Sequence, residues 1–411
     1  MKKFLYFQPE YVSRFMCDGA KCNARCCKQW TIIIDEKSYE QYSRIEPPEA
    51  AEEILSHIKF NDERKVNVIA LNEKNCCPFL TEKNLCGLQL KYGEDFLSQT
   101  CATYPRITHS LGKIFERSLT LTCPVAAEMV LFSQEPLKFE LVEMPEELHS
   151  RGGRLMLTIE LKMSDDAAEL MLENQVAMIS ILQERTLTID QRLIVLCFFA
   201  DKLEEIYSRG MDADEQRKLI AAYESKKFLA EQVPLMFQSV TFDAEKFIRL
   251  LIMMLESFYK AKDSKSNVRL PFLNAVIKTL RLHPDKNNFI SLSEVAANYK
   301  SLAEARKKFL AEYSTFLENF LINELFQQLY PWHYHRRPTR SLSIFLVSYK
   351  LFELLTFSAV QNNLSDRDDL LRLTDWYTMD IDHSGLWKEK IFAYLDEQKD
   401  FFELMERLFE R

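Results

Sequence analysis

Short alternations of apolar and polar side chains characterise the first third of the chain. Residues 65–71 and 115–123 alternate with the period of a β-strand, and 30–35 contains a β-branched run that favours a strand. A helix is predicted over 37–45, with Asp35 placed to cap its N-terminus. We therefore expect short strands and short helices in this region.

From residue 164 onward, apolar residues recur at helical spacing. Helices are predicted over 190–208, where Asp190 can act as the cap, and over 213–229 and 242–259. Four aromatic residues step by four, three and four positions, which places them on one helix face: Phe309, Tyr313, Phe316 and Phe320. Such a stripe is typical of a helix packed against a core.

The most apolar later stretch is 342–360. Lys350 and Glu353 interrupt it, so it is shorter than the uninterrupted span that a bilayer requires. We expect a buried helix of a soluble bundle, with no membrane insertion.

Glycine is scarce, with eight residues in 411 and none between Met211 and Ser384. Helices tolerate such a gap, whereas sheets with tight turns need glycine. The predicted fold is therefore mainly α: an irregular cysteine-rich N-terminal metal-binding module with short strands, and a large all-helical C-terminal domain. A connector is predicted over 136–153, which gives domains 1–150 and 151–411.

Nine of the ten cysteines lie in the first 123 residues, and only Cys197 lies outside. Disulfides serve secreted chains too small to build a core, which does not suit a chain of this length. Chance core cysteines would not cluster. Spacings such as those of Cys22, Cys26 and Cys27 let neighbouring thiolates converge on a metal, so metal binding is the favoured interpretation.

The spacing leaves the kind of metal open. Eight or nine cysteines can supply two four-cysteine sites, of iron-sulfur or zinc type, or one site with spare thiols. The ferredoxin run Cys-x2-Cys-x2-Cys-x3-Cys-Pro is absent from the sequence, and Gln29 stands where a radical S-adenosylmethionine triad would need its third cysteine.

Charge and motifs exclude some function classes. The net charge of −8 argues against nucleic acid as the main partner. The glycine turns that bind dinucleotides or triphosphates are missing. The first residues contain too short an apolar run for a signal peptide, so a cytoplasmic protein is expected.

Three further features carry candidate chemistry. Arg106, in the predicted turn 101–106, can bind a carboxylate or neutralise a thiolate cluster. The segment 332–340 contains two histidines, for which a solvated connector is the favoured interpretation over metal binding. Glu116 and Arg117 are expected to form an ion pair.

The order of the cysteine motifs resembles a known family. The motifs are Cys22-x3-Cys26-Cys27, Cys77-Pro-Phe-Leu80, Leu85-Cys86, Cys101-x2-Tyr-Pro-Arg106 and Arg117-Ser-Leu-Thr-Leu-Thr-Cys-Pro124. They resemble the bacterial flagellin lysine-N-methylase family, over about residues 15 to 125, and the chain length is also similar. The cysteine region is similar to a wider group of zinc- or iron-chelating proteins with a CxxCxxCC signature, although here three residues separate the first pair.

The resemblance implies methyl transfer from S-adenosylmethionine to lysine side chains of flagellin, in the cytoplasm. It also implies an iron-sulfur cluster, of the 4Fe-4S type or with zinc as the alternative, held by Cys17, Cys22, Cys26, Cys27, Cys77, Cys86, Cys101 and Cys123. Cys76 is then the spare thiol. Catalytic and cofactor-binding residues stay unassigned. The alternative function is a non-catalytic metal-binding or redox iron-sulfur protein.

Overall fold

The chain forms two compact units. One contains Met1–Met129 with Leu137–Ala168, and the other contains Val130–Pro136 with Glu169–Arg411. The computed structural model describes residues 3–19, 22, 24–28, 30–145, 159–240, 242–260, 266–282, 291–332, 337–383, 385–397 and 401–409. The predicted domain boundary at 150 lies outside the described residues.

A mixed five-stranded sheet forms one half of the first unit. Its strands are β1 (Lys3–Pro9), β5 (Arg106–Leu111), β6 (Ile114–Leu119), β7 (Phe139–Pro145) and β8 (Ile159–Leu161), in the order β7-β1-β6-β5-β8. β1 runs parallel to β6, and β5 pairs antiparallel with β6. Gly112 makes the turn between β5 and β6 with a φ of 56°, and a Cβ there would lie 3.0 Å from the carbonyl oxygen of Met163. Only glycine fits this turn without strain.

A smaller sheet and several short helices form the rest of this unit. The sheet contains β2 (Ile33–Ile34), β4 (Val66–Ile69) and β3 (Ile58–Asn61), in that order. The helices are Glu10–Arg14, Glu36–Ser43, Pro48–Ser56, Gly87–Tyr92 and Gln99–Thr103, and Pro124–Leu131 follows β6. The cap predicted at Asp35 is confirmed, because its carboxylate accepts a hydrogen bond from the backbone N–H of Ser38 at 3.0 Å.

The predicted connector 136–153 is partly wrong. Its first half contains β7, which pairs antiparallel with the whole of β1. The charged residues that suggested a linker belong to an edge strand of the sheet, where polar side chains are usual. Residues 146–153 lie outside the described part of the chain.

The second unit is helical, as predicted. Thirteen helices lie in its described residues, and the first of them begins shortly before the segment Glu169–Arg411 of that unit. They are Asp165–Leu182, Ile189–Ser208, Ala213–Glu224, Lys226–Ser239, Ala244–Lys260, Ser266–Thr279, Leu292–Ser301, Ala303–Glu312, Ser314–Gln327, Pro338–Gln361, Arg367–His383, Gly385–Glu397 and Phe401–Leu408. The rings of Phe320 and Phe352 stack 3.8 Å apart between two of these helices. Aromatic packing of this kind holds the centre of the unit together.

Three details differ from the predictions. Thr188, and not Asp190, caps the helix Ile189–Ser208, through a capping box with Gln191. The predicted helix 213–229 is two helices, because Ser225 ends one and caps the next. Phe309, Phe316 and Phe320 are buried as predicted, but Tyr313 lies at the junction of two helices.

The helix Pro338–Gln361 is the one described helix that is long and apolar enough to cross a membrane. However, 89% of its most apolar window is buried inside the protein. The prediction of a buried core helix is therefore confirmed.

A buried carboxylate ties three segments of the second unit together. Glu318 is 1% exposed and binds Arg185 at 2.9 Å and Arg192 at 2.7 Å. Charged groups taken out of water are stable only when such partners surround them.

We expect Glu318→Gln to lower the free energy of unfolding by about 3–5 kcal/mol, because it leaves two arginines without their counter-charge. The matched control is Glu173→Gln, which removes an exposed pair with Arg217 and should cost less than about 1 kcal/mol. Urea unfolding followed by circular dichroism measures both. Equal losses in the two variants would contradict this account.

Candidate metal centre

Cys26 and Cys27 lie on a single rigid turn. Ala24 adopts a left-handed conformation with a φ of 50° and starts the 3-10 helix Arg25–Cys27, which closes through a hydrogen bond from Cys27 N to Ala24 O at 2.9 Å. The indole N–H of Trp30 donates to Cys26 O at 2.7 Å. The two Sγ atoms are consequently held 3.8 Å apart.

Cys77 lies beside this turn. Its backbone N–H donates to Cys27 O at 2.7 Å, and Cys76 bridges to Lys28 in antiparallel fashion. Adjacent residues of an extended segment point to opposite sides. Cys77 is accordingly buried, whereas the thiol of Cys76 donates to Lys74 O at 3.5 Å.

Cys86 and Cys101 complete the same core. Leu80 bridges to Cys86, and Gly87 N donates to Phe79 O at 2.7 Å. A Cβ on Gly87 would lie only 2.9 Å from that oxygen, so glycine is needed directly after Cys86.

The predicted turn 101–106 is wrong for Cys101, which lies on the short helix Gln99–Thr103. Ser98 caps this helix by accepting from Cys101 N at 3.3 Å. Asp35 accepts from Gln99 N at 2.8 Å and thereby fixes the helix to the start of Glu36–Ser43. The sequence identified Asp35 as a cap but not this second role, which only the tertiary fold creates.

We call Cys26, Cys27, Cys77, Cys86 and Cys101 the inner thiol group, since all five pack in one hydrophobic cluster. The hydrogen bond with Cys27, followed by burial, raises the pKa of Cys26 far above its ordinary value. Burial, together with the charges of Cys86 and Cys26, raises the pKa of Cys101 to about 12. Burial and neighbouring thiols therefore oppose ionisation of Cys26 and Cys101.

We call Cys17, Cys22 and Cys123 the outer thiol group, because the charges of Cys22 and Cys17 act on Cys123. Burial raises the pKa of Cys123 to about 12 and outweighs the N–H groups of Ala126 and Val125; the charges of Cys22 and Cys17 raise it further. Burial, then the charges of Cys22 and Cys26, also raise the pKa of Cys17. The two groups together contain the eight predicted ligands and leave out Cys76 and Cys197.

The chemistry of this donor set suits a soft metal. Sulfur is the donor atom in every member, and thiolate donors select zinc or iron-sulfur clusters. A cysteine must lose its proton to bind a metal, so metal binding to these residues would release protons. As the side chains stand, no three His, Cys, Asp or Glu side chains among the described residues are close enough to hold an ion. The structure thus places the eight candidate cysteines in the first unit and shows no coordination geometry among the described residues.

Three other candidate features were predicted from the sequence: Arg106, the pair Glu116 and Arg117, and the histidines of 332–340. Arg106 lies 5.3 Å over the ring of Phe15, which leaves its two predicted roles open. The predicted pairing of Glu116 with Arg117 is wrong, because adjacent residues on β6 point to opposite faces; Arg117 donates to Thr108 at 3.2 Å and lies over Tyr6. The two histidines of 332–340 lie outside the described residues.

Comparison with known proteins identifies the family. Residues 175–408, more than half of the chain, match the family model described as the FliB lysine N-methylase C-terminal domain. The chain belongs to the FliB lysine N-methylase family. The match lies in the helical unit and does not include the nine clustered cysteines. It therefore confirms the family resemblance of the cysteine motifs independently, from a different part of the chain.

Individual relatives agree with this assignment. The chain is 31% identical over 134 residues to the lysine-N-methylase of Salmonella typhimurium strain LT2, which is 32% of this chain and 33% of that protein. It is 29% identical over 134 residues to the flagellar biosynthetic protein FliU of Salmonella muenchen, which is 32% of this chain and 79% of that protein. The similarity thus spans about a third of the lysine-N-methylase. No solved structure matches the chain.

If the thiol groups bind a metal, Cys77→Ser should lose most of it and should have a lower melting temperature, because metal-binding free energy is folding free energy in a thiolate-held module. Cys76→Ser is the matched control, one residue away, and should keep its metal. Metal analysis and thermal unfolding of protein purified without oxygen measure both variants. Equal metal loss in the two would contradict the assignment of Cys76 as the spare thiol.

Proposed function

We propose that this protein is a lysine N-methyltransferase that transfers methyl groups from S-adenosylmethionine to lysine side chains of flagellin. Membership of the FliB lysine N-methylase family is the observation that carries the proposal. The name of FliU, a flagellar biosynthetic protein, supports a flagellar substrate. The family match covers the helical unit, which makes that unit the place to look for the transfer site.

The proposed reaction is a displacement at a methyl carbon. The lone pair of a neutral lysine ε-amine forms the new N–C bond while the sulfonium C–S bond breaks, which leaves S-adenosylhomocysteine; the methylated ammonium then loses a proton to solvent or to a base. Because a lysine amine is protonated in water, a desolvating pocket that lowers its pKa would accelerate the reaction.

We also propose that the inner and outer thiol groups hold an iron-sulfur cluster, with zinc as the alternative metal. All eight thiols are gathered in the first unit, and their donor atoms match those that such clusters use. A cluster bound there would cross-link segments that are otherwise joined mainly by short sheets and turns, and would supply one-electron chemistry.

A reducing compartment is part of the proposal. All ten cysteines are free thiols, although the inner group lies close enough for thiol contacts such as that between Cys26 and Cys27. Thiols in such proximity persist in the cytoplasm, where disulfides are reduced. The protein would therefore act on flagellin in the cytoplasm.

The test is methylation of purified flagellin by protein prepared without oxygen. With S-adenosylmethionine present, mass spectrometry should find methyl groups on flagellin lysines, and none when the donor is omitted. Cys76→Ser should retain this activity. Flagellin that stays unmodified by protein carrying its full metal content would contradict the proposal and favour a metal-binding or redox protein without methylase activity.

A further inference from the structure

The helical unit contains a cavity of about 610 Å³. Residues 185–190, at the start of the helix Ile189–Ser208, form one wall. Tyr299, the helix Ala303–Glu312 and the middle of the helix Pro338–Gln361 form the others. Cavities of roughly 300–1,000 Å³ are the usual size for sites that bind small organic molecules.

Buried charge lines this cavity. Lys350 is 3% exposed and donates to Asp190 at 2.6 Å and to Glu353 at 2.9 Å. Burial alone would lower the pKa of Lys350, but the two carboxylates raise it above its ordinary value, so the ammonium stays charged. In the sequence, Lys350 and Glu353 only interrupted an apolar helix, whereas the structure shows that they form a buried ion pair at the wall of a cavity.

The charges around the cavity leave an excess of one positive charge. Five basic side chains line it against three acidic ones. A further carboxylate, Glu318, lies between the lining residues Arg185 and Arg192 and binds both. An excess of positive charge in a concave site attracts the anionic group of a ligand, such as a carboxylate.

Arg306 and Lys307 supply positive charge on the helix Ala303–Glu312. The guanidinium of Arg306 lies 3.7 Å over the ring of Tyr299 and is 7% exposed, so its orientation is fixed by packing. Lys307 is exposed and lines the same cavity. A fixed guanidinium binds a carboxylate through two parallel hydrogen bonds.

The remaining wall is largely apolar. Phe237, Leu310 and Leu408 line it together with Ala303 and Ala311. Such a surface buries the hydrocarbon or ring portion of a ligand, while the charged side chains orient its polar end.

We propose that this cavity binds a small organic molecule through a carboxylate, which Arg306 and Lys307 hold while the apolar wall covers the rest of the molecule. A phosphate-bearing ligand fits less well. Its second charge exceeds the single excess positive charge, and phosphate sites are usually built on glycine-rich turns. The segment 185–190 contains no glycine.

The amino-acid end of S-adenosylmethionine carries a carboxylate, and its adenosine end offers a ring for the apolar wall. The inference rests on the proposed function only where it chooses compounds related to S-adenosylmethionine as probes. The product S-adenosylhomocysteine is suitable for titration, because it cannot be consumed.

The first experiment is a calorimetric titration of the full-length, metal-containing protein. S-adenosylhomocysteine should bind, and 5′-methylthioadenosine, which keeps the adenosine and the thioether but lacks the amino acid, should bind at least ~10-fold more weakly. Equal affinity for the two compounds, binding of neither, or equally effective competition by inorganic phosphate would overturn the inference.

Charge-reversal variants then locate the binding site. Lys307→Glu should weaken binding of S-adenosylhomocysteine by about 5- to 10-fold, because it places a like charge beside the ligand's carboxylate. Lys308→Glu is the matched control; it changes the next residue, which is also exposed but does not line the cavity, and should change affinity less than about 2-fold. Arg306→Gln should weaken binding at least ~10-fold. Since Lys307 is exposed, its variant tests the proposal even if Arg306→Gln fails to fold.

The two proposals fail in different ways. If the protein methylates flagellin but Lys307→Glu leaves the KM for S-adenosylmethionine unchanged, the cavity assignment is wrong and the methylase function stands. If binding of S-adenosylhomocysteine depends on the carboxylate and on Lys307 but no methylation occurs, the cavity assignment stands and the methylase function is wrong.

Discussion

The main constraint on the first unit is the packing of five cysteines, two of them buried and three partly buried, in one hydrophobic cluster. Cys27 and Cys77 lie in the centre of its hydrophobic cluster, and Cys26, Cys86 and Cys101 pack against them. Three local features place these cysteines. Ala24, in a left-handed conformation, starts the turn of Cys26 and Cys27, a glycine follows Cys86, and Asp35 fixes the helix that contains Cys101. If these thiols bind a metal, as we propose, the metal would replace their protons, and its binding free energy would add to the stability of the unit.

The second unit buries side chains of opposite charge next to one another. Its buried charges are matched by partners of opposite sign, as Lys350 is by Asp190 and Glu353. Such networks cost desolvation energy that hydrophobic residues of the same size would avoid. Their position at the wall of a cavity suggests why they are retained, since a charge held in a fixed direction can orient a ligand.

Much of the fold was predictable from local patterns. The helical half follows from its spacing of apolar residues and its lack of glycine, and Asp35 was identified as a cap from its position alone. The edge strand Phe139–Pro145 was missed because its charged side chains resemble those of a linker, and only pairing with β1 shows that it is part of the sheet. Asp190 was predicted as a cap because both residue types cap helices, but Thr188 forms the capping box with Gln191, and Asp190 lies in the first turn and accepts from Lys350.

The motif order singled out eight cysteines as metal ligands and set Cys76 aside. All eight lie in the first unit, and their role as ligands stays a prediction. Their separation into inner and outer groups depends on contacts between residues as far apart as Cys27 and Cys77, which spacing along the chain does not encode. The cavity of the helical unit was missed for the same reason, because its wall combines segments more than a hundred residues apart.

Hydrogen exchange before and after removal of metal by a chelator tests the central claim most directly. If the thiol groups hold a metal on which the first unit depends, amide protection over residues 25–101 should fall sharply on chelation. Protection in the helix Pro338–Gln361 should remain, since oppositely charged side chains and aromatic packing stabilise that unit without metal. Unchanged protection over residues 25–101 in metal-free protein would contradict the account.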